Sequence, residues 1–302
     1  MELQEFVIEV RNRVSEQLGS DYDVLARKVI KNNSVEYDCL SITYKNNIVS
    51  PSIYLKSYYQ QWVGGRSIED ITKNIIDVYN DSIKNLDRGW NSCIDTENAN
   101  EKVILRLVNY SKNQKILEKC PHDRIGDFAV TYHYLVANNE KDGLATARID
   151  YNNISYFGLE EKELRNLALK NTERLFPPIF EGLDNIFRKF TEKYFNCCFT
   201  SVQTEDHAQM YLLTNTEKLN GAACILYKGL LDRIRKVLGK NFYVIPSSIN
   251  EVLILPDSPE LCRCSLEEMV REVNKESVPE TEVLSDKVYY YPDDRDILVW
   301  DI

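Results

Sequence analysis

The sequence predicts an α+β fold in which antiparallel hairpins pack against helices along the whole chain. Short runs rich in β-branched and aromatic residues occur in pairs joined by turn-forming residues. Segments with apolar residues at helical spacing separate these pairs, without the strict alternation of strand and helix that a parallel sheet requires. The chain has 302 residues, of which 43% are hydrophobic and 28% charged, so it can bury a substantial core. We expect three regions, residues 1–95, 96–206 and 207–302.

The N-terminal region begins with a helix over residues 3–18, where apolar residues recur at helical spacing. Two strand-like runs, YDVLARKVIKNN and VEYDCLSITYKNN, meet at the turn-forming Asn32–Ser34 and predict a hairpin. A third short strand, SPSIYL, comes next, and a short aromatic helix starts at Lys56. A longer helix opens at Ser67–Asp70, because this hydroxyl and carboxylate can cap its first turn.

The middle region mixes strand-like and helical runs. VILRLVNY is a predicted strand by its β-branched content, and SKNQKILEKC is a predicted helix. DFAVTYHYLVA and LATARID predict a hairpin, because the loop between them contains the turn pair Asp142-Gly143. A helix over residues 160–175 ends before Pro177, and residues 179–206 are expected to be mostly helical.

The C-terminal region repeats this mixture. MYLLTN predicts a strand, and AACILYKGLLDRIRKVLG predicts a single helix that ends at Gly239. Two strands are expected around Pro246–Ser248, followed by a helix that starts at Ser265–Glu268 and a last strand, VYYY. The apolar stripes of the helices predict five core positions, which are Leu164, Leu167, Phe187, Leu226 and Leu230.

Charge and cysteine usage narrow the class of protein. The chain has 37 Lys and Arg against 47 Asp and Glu, and its net charge of −10 disfavours direct nucleic-acid binding. No run of 18 apolar residues predicts a membrane span, and the N-terminal helix is too charged for a signal peptide. The eight cysteines have irregular spacing, which indicates reduced thiols and a cytoplasmic protein. Phosphate-binding glycine motifs and zinc-ligand spacings are missing, so we expect neither a cofactor nor a metal site.

A set of strings across the chain carries a family resemblance. They are VSPSIYL, LVNY, LALKNTERLFPP, LLTN, GAACILY and IPSSINEVLILP, with Pro121, His122 and Asp127 between them. Together they resemble an uncharacterised family of clostridial and related gut-bacterial proteins, classified as a domain of unknown function. The resemblance extends from the N-terminal helix to VYYY and implies no activity, because the family has none assigned. The acidic end, YYPDDRDILVWDI, departs from the family core.

Two pairs of residues are candidates for chemistry. His122 and Asp127 follow Cys120 and offer an imidazole and a carboxylate, the groups that activate a nucleophile. The alternative is a helix-to-strand junction in which these side chains only satisfy backbone groups, and neighbours in sequence rarely form a triad. Ser248 and Glu251 lie beside a predicted strand turn and could line a cleft, but a serine turn between two strands explains them equally.

Aromatic residues are the candidates for a binding surface. Tyr58, Tyr59 and Trp62 have amphipathic rings, although their helical spacing favours a buried helix face. Trp300 ends the apolar run that starts at Ile297, and we expect this run to dock on a sheet edge or in a groove.

These observations favour a non-enzymatic cytosolic protein that binds another protein. The acidic composition, the 19 tyrosines and the lack of a convincing catalytic motif support this interpretation. Two alternatives remain open. One is an enzyme with an unfamiliar site near His122 and Asp127, and the other is an acidic decoy of a nucleic-acid-binding surface.

Overall fold

The computed structural model describes five stretches of the chain, which are residues 1–44, 52–86, 96–139, 143–184 and 210–292. They fall into two compact units. Unit 1 contains residues 1–95 and 139–143, and unit 2 contains residues 96–138 and 144–302. Both units combine helices with antiparallel strand pairs, which confirms the α+β prediction. The expected boundary between residues 206 and 207 lies outside the described residues.

Unit 1 has one helix before and two helices after a three-stranded sheet. Its elements are α1 (Leu3–Leu18), β1 (Tyr22–Ile30), β2 (Glu36–Tyr44), β3 (Ser52–Tyr54), α2 (Lys56–Val63) and α3 (Ile68–Leu86). The strands pair antiparallel in the order β1-β2-β3. The hairpin turn places Asn33 at a φ of 61°, a left-handed conformation that asparagine tolerates better than most residues.

The core of unit 1 forms between α1, α3 and the sheet. The apolar stripe of α1, including Phe6 and Val10, is buried against residues such as Leu40 of β2 and Ile71 of α3. Ser67 precedes α3, and its hydroxyl accepts the backbone N–H of Asp70 at 3.1 Å. The Asp70 carboxylate accepts the Ser67 hydroxyl at 2.8 Å, so half of the predicted capping box forms.

Unit 2 contains two sheets. Its elements are β4 (Val103–Asn109), α4 (Gln114–Leu117), β5 (His122–Ile125), β6 (Phe128–Asn139), β7 (Gly143–Arg148), α5 (Glu161–Leu175), β8 (Pro178–Gly182), β9 (Tyr211–Asn215), α6 (Leu230–Leu238), β10 (Phe242–Ile245), β11 (Val252–Pro256), α7 (Arg263–Ser277) and β12 (Tyr289–Tyr291). The central sheet has the order β4-β6-β5, and β7 also pairs with β6. The C-terminal sheet has the order β12-β10-β11-β9-β8.

Helix α5 is joined to β4 by polar as well as apolar contacts. The Leu105 backbone N–H donates to the Thr172 hydroxyl at 2.9 Å, and the Asn171 amide donates to the Val103 carbonyl at 3.0 Å. These bonds satisfy polar groups in a buried region, where an unpaired group would be costly. Helix α5 is therefore held in a defined position over the central sheet.

Four of the five predicted core leucine and phenylalanine positions are confirmed. Leu164 and Leu230 are buried, and Leu167 and Leu226 are partly buried against the same core. Phe187 lies outside the described residues.

Two predicted helices are wrong in part. Residues 178–182 form strand β8 rather than the start of a helix, because β8 pairs with β9, which lies far away in the sequence. The remainder of the predicted helix, from residue 185, lies outside the described residues. The second predicted helix divides into a 3₁₀ turn over Gly221–Leu226 and helix α6, because Gly229 adopts a left-handed φ of 65° between them.

Candidate functional site

A cleft of about 310 Å³ lies within unit 2, between the central sheet and two helices. Its lining comprises Leu105, Ile125, Val130, Arg165, Leu169, Ile225, Leu226, Tyr227, Lys228, Gly229, Leu231, Asp232 and Tyr291. The floor is apolar, because Leu105, Ile125 and Val130 lie on the same face of three neighbouring strands. The site therefore has a hydrophobic base on a rigid element of the fold.

Two helices and a short connection form the walls of the cleft. Arg165 and Leu169 are one turn apart on α5, so both belong to the same helix face. Lys228 and Gly229 lie in the connection between the 3₁₀ turn and α6. Gly229 holds a left-handed backbone conformation there, which turns the chain into α6 and places Leu231 in the wall.

The wall near the connection is held in place by a buried tyrosine. The Tyr227 hydroxyl donates to the Phe176 carbonyl oxygen at 2.9 Å and lies 3.3 Å from the Thr172 carbonyl oxygen. Burial raises the pKa of Tyr227, so the hydroxyl keeps its proton and this bond. The cleft is thus preformed by contacts with the end of α5.

The charged residues of the cleft leave an excess of positive charge. Asp232 accepts the Tyr291 hydroxyl at 2.7 Å, and its carboxylate lies 3.7 Å from the Arg235 guanidinium. Arg165 and Lys228 are exposed, and neither forms an ion pair with another described residue. Helix α6 also begins here without a side-chain cap, so its positive end contributes to the same field. The cleft combines an apolar floor with a cationic rim.

His122 and Asp127 are close in sequence but have separate roles in the structure. His122 is the first residue of β5, and its Nδ1 lies 3.0 Å from the carbonyl oxygen of Cys120. Because a carbonyl can only accept, Nδ1 donates the proton of this bond. Asp127 accepts the Tyr289 hydroxyl at 2.8 Å and forms an ion pair with Lys287 at 2.9 Å.

The contacts of Asp127 determine its ionisation. Burial acts to raise the pKa of its carboxyl, but the hydrogen bonds from Lys287 and Tyr289 outweigh burial, and the pKa is lowered. An ionised carboxylate with two donors is suited to joining β12 to the turn between β5 and β6. It is poorly suited to acting as a base, because the two donors stabilise its anionic form and lower its pKa.

Ser248 and Glu251 are brought together, and neither lines the cleft. The Ser248 hydroxyl accepts the Asn250 backbone N–H at 3.0 Å, as expected for a serine turn. Burial and the neighbouring Glu282 raise the pKa of Glu251, and its hydrogen bond with Ser248 opposes this shift. Within the described part of the chain, no hydrogen bond or ion pair joins this pair to His122 or Asp127, and none of the four lines the cleft.

The aromatic candidates belong to the core of unit 1. Tyr58 is buried, while Tyr59 and Trp62 pack on Phe6 with ring centroids 5.4 and 5.9 Å away. This placement corresponds to the buried helix face that their spacing favours. Trp300 lies outside the described residues.

Membrane-spanning segments and metal clusters can be examined only in the described stretches. None of the helices there combines the length and apolar character that crossing a membrane requires. In the same stretches, no group of three or more His, Cys, Asp or Glu side chains is placed to hold a metal ion.

Sequence reasoning missed the polar residues of the cleft. They come from three separate segments, which contain Arg165, Lys228 with Asp232, and Tyr291, and only the fold brings these segments together. The one local signal is Gly229 within an apparently helical run, since a glycine there marks a break in the helix.

The fold and the cleft define an α+β protein with antiparallel sheets and a preformed cavity in its second unit. A family described as a family of unknown function, DUF5688, has a model that matches residues 3–293. The chain belongs to this family. No curated protein and no solved structure matches the chain. Family membership assigns no activity, so the function has to be argued from the geometry of the site.

Proposed function

We propose that this protein is a non-enzymatic binding protein whose cleft receives an apolar side chain from an acidic segment of a protein partner. The observation that carries the proposal is the combination of an apolar floor with the rim cations Arg165 and Lys228, which form no ion pair in the part of the chain that the structure describes. An apolar anchor would bury its surface on Leu105 and Val130, and flanking carboxylates would meet the two cations.

The size of the cleft supports this class of ligand. A volume of about 310 Å³ is at the lower end of the range for small-molecule sites, which is roughly 300–1,000 Å³. It suits one large side chain rather than an extended cofactor. The Tyr227 contacts keep the wall in place, so less ordering is needed when a partner binds.

The contacts of the candidate catalytic residues favour binding over catalysis. The Asp127 carboxylate is engaged by Lys287 and Tyr289, and Ser248 accepts a backbone N–H within its own turn. The setting we propose is the cytoplasm of a clostridial or related gut bacterium. The family resemblance supports this source, and the free thiols of Cys39, Cys120 and Cys224 are compatible with a reducing compartment.

Peptide binding tests the proposal. The probe is a fluorescein-labelled peptide of residues 292–302, which places Asp293, Asp294 and Asp296 beside an apolar run ending in Trp300. Fluorescence anisotropy would be measured with the full chain and with a chain lacking residues 297–302. Binding of the peptide to either chain supports the proposal. Binding only to the shortened chain would mean that residues 297–302 of the full chain compete with the peptide for the cleft.

Substitutions in the cleft identify the binding surface. We expect Arg165→Gln and Lys228→Gln to weaken binding about two- to fivefold each, because each removes one rim charge. Leu169→Trp should fill the cleft and abolish binding. Arg233→Gln is the matched control, since Arg233 is an exposed residue of α6 that does not line the cleft. Unchanged affinity in all three cleft variants, with melting curves like that of the wild type, would refute the proposed function.

A further inference from the structure

The central sheet has a second face, which is polar. Successive residues of a strand point to opposite faces, so Leu105 and Val130 face the cleft while Arg106 and Thr131 face away from it. The strand register places Arg106 opposite Thr131, and Thr131 opposite His122. Three polar side chains therefore form one row across β4, β6 and β5.

Neighbouring residues extend this row into a cluster. The Arg106 guanidinium donates to the hydroxyl of Thr146 on β7, and the Thr131 hydroxyl lies 3.2 Å from Nε2 of His133. Arg148, two residues after Thr146, acts electrostatically on His133, as Arg106 also does. We call Arg106, Thr131, His133, Thr146 and Arg148 the arginine cluster.

The arginine cluster carries positive charge without a matching negative charge. The Nε atoms of Arg106 and Arg148 are both buried, and neither has a hydrogen-bond acceptor in the described stretches of the chain. Among the described residues, no carboxylate forms an ion pair with either guanidinium. Burial lowers the pKa of Arg106 to about 10, and burial together with the two arginines lowers the pKa of His133. Burial and the two cations thus disfavour the charged form of the His133 imidazole.

The other charged groups near the cluster are engaged elsewhere. Arg124, on the same sheet face, lies over the Tyr110 ring at 4.3 Å and donates to the Gly126 carbonyl at 3.0 Å. The Asp150 carboxylate, close to Arg148, accepts the backbone N–H groups of residues 152 and 153 at 3.1 Å. Arg124 only adds positive charge, and among the described residues the Asp150 carboxylate forms no ion pair with Arg106 or Arg148.

We propose that the arginine cluster binds a phosphoryl group. A buried charge is costly without a partner, and two guanidinium forks supply donors in the geometry that phosphate oxygens accept. A phosphate monoester carries a charge of about −1.5 to −2 at neutral pH, which balances two cations better than a single carboxylate does. Arg106, Thr146 and Arg148 are partly exposed, so the ligand can reach them from solvent.

Calorimetric titration of the full chain tests this site. Inorganic phosphate and phosphoserine would be titrated separately, with sodium chloride at matched ionic strength as the reference. We expect saturable binding of both phosphates, and tighter binding of phosphoserine would indicate that the natural ligand is a phosphate ester. Arg106→Gln and Arg148→Gln should each lower phosphate affinity about tenfold or more, because each removes a charged donor.

The control separates this site from the cleft. Arg165→Gln, on the opposite side of the sheet, should leave phosphate affinity unchanged while it weakens binding of the acidic peptide. If Arg106→Gln does not fold, Arg148→Gln and the wild-type titration still decide the question. The proposal would be overturned if the heats of titrating phosphate did not differ from those of titrating chloride. It would also be overturned if both cluster variants bound phosphate with the affinity of the wild type.

Discussion

Gly221→Ala is expected to be one of the most damaging small substitutions in this chain. Gly221 begins the 3₁₀ turn behind the cleft and is buried. A Cβ atom there would lie 2.5 Å from the Asn250 carbonyl oxygen and 2.9 Å from the Asn215 backbone nitrogen, and closer still to the Thr214 hydroxyl. The φ of Gly221 is not positive, so the expected effect is steric rather than conformational.

The size of the effect follows from which atoms can move. Two of the three neighbours are backbone atoms, which cannot move aside as the end of a flexible side chain can, so overpacking should cost about 1–3 kcal/mol. The Thr214 hydroxyl donates to the Asn250 carbonyl at 2.8 Å, and displacing it would cost about 0.5–1.5 kcal/mol more. We therefore expect Gly221→Ala to lower the free energy of unfolding by about 2–4 kcal/mol.

Urea unfolding followed by circular dichroism measures this change. Gly64→Ala is the matched control, because its Cβ would have ordinary contacts at 3.4 Å and its φ is −74°. The control should change the free energy of unfolding by less than about 1 kcal/mol. A Gly221→Ala variant as stable as Gly64→Ala would show that the turn can move away from β9, and the steric argument would be wrong.

Three further predictions concern thiols, a carboxylate and the chain end. Backbone hydrogen bonds lower the pKa of Cys262, whereas burial raises the pKa of Cys224 to about 12, so iodoacetamide should label Cys262 at neutral pH and leave Cys224 intact. Equal labelling in a peptide map would contradict this. Burial and Glu282 raise the pKa of Glu251, so the contribution of this group to stability is present at acid pH and is lost as pH rises through the raised pKa. Glu251→Gln should thus raise Tm at pH 7 relative to the wild type, and this difference in Tm should shrink towards about pH 4. Equal Tm values for the variant and the wild type at pH 7 would refute this prediction. Deleting residues 297–302 should lower Tm if this apolar run docks on its own chain, or abolish association if it docks on a partner. A truncated chain with unchanged melting, elution and partner binding would show that the run does not dock.

Local patterns predicted the elements whose formation depends on near neighbours. Helix α5 follows from apolar spacing and the prolines after it, and the hairpin of β1 and β2 follows from its asparagine turn. Unit 1 follows the expected order of elements, because its strands pair with the next strand along the chain.

Long-range pairing decided the elements that sequence reasoning got wrong. Residues 178–182 become a strand because β9 supplies hydrogen-bond partners across a long sequence separation. The predicted helix from residue 222 is interrupted at Gly229, and the turn before it packs against β9 and β4. Local propensity is too weak to oppose such contacts, so it cannot predict them.

The sequence by itself determined which residue types are available to form a site, whereas the tertiary structure decided which residues lie together in the same site. The residues of the cleft and of the arginine cluster are all visible in the sequence, but nothing local relates Arg106 to Arg148 or Arg165 to Lys228. Strand register sets which side chains are opposite one another, and a shift of one residue would exchange the two faces of the central sheet. Packing then decides which polar atoms lose contact with water, and this is why the buried Nε atoms of Arg106 and Arg148 can be recognised only in the folded chain.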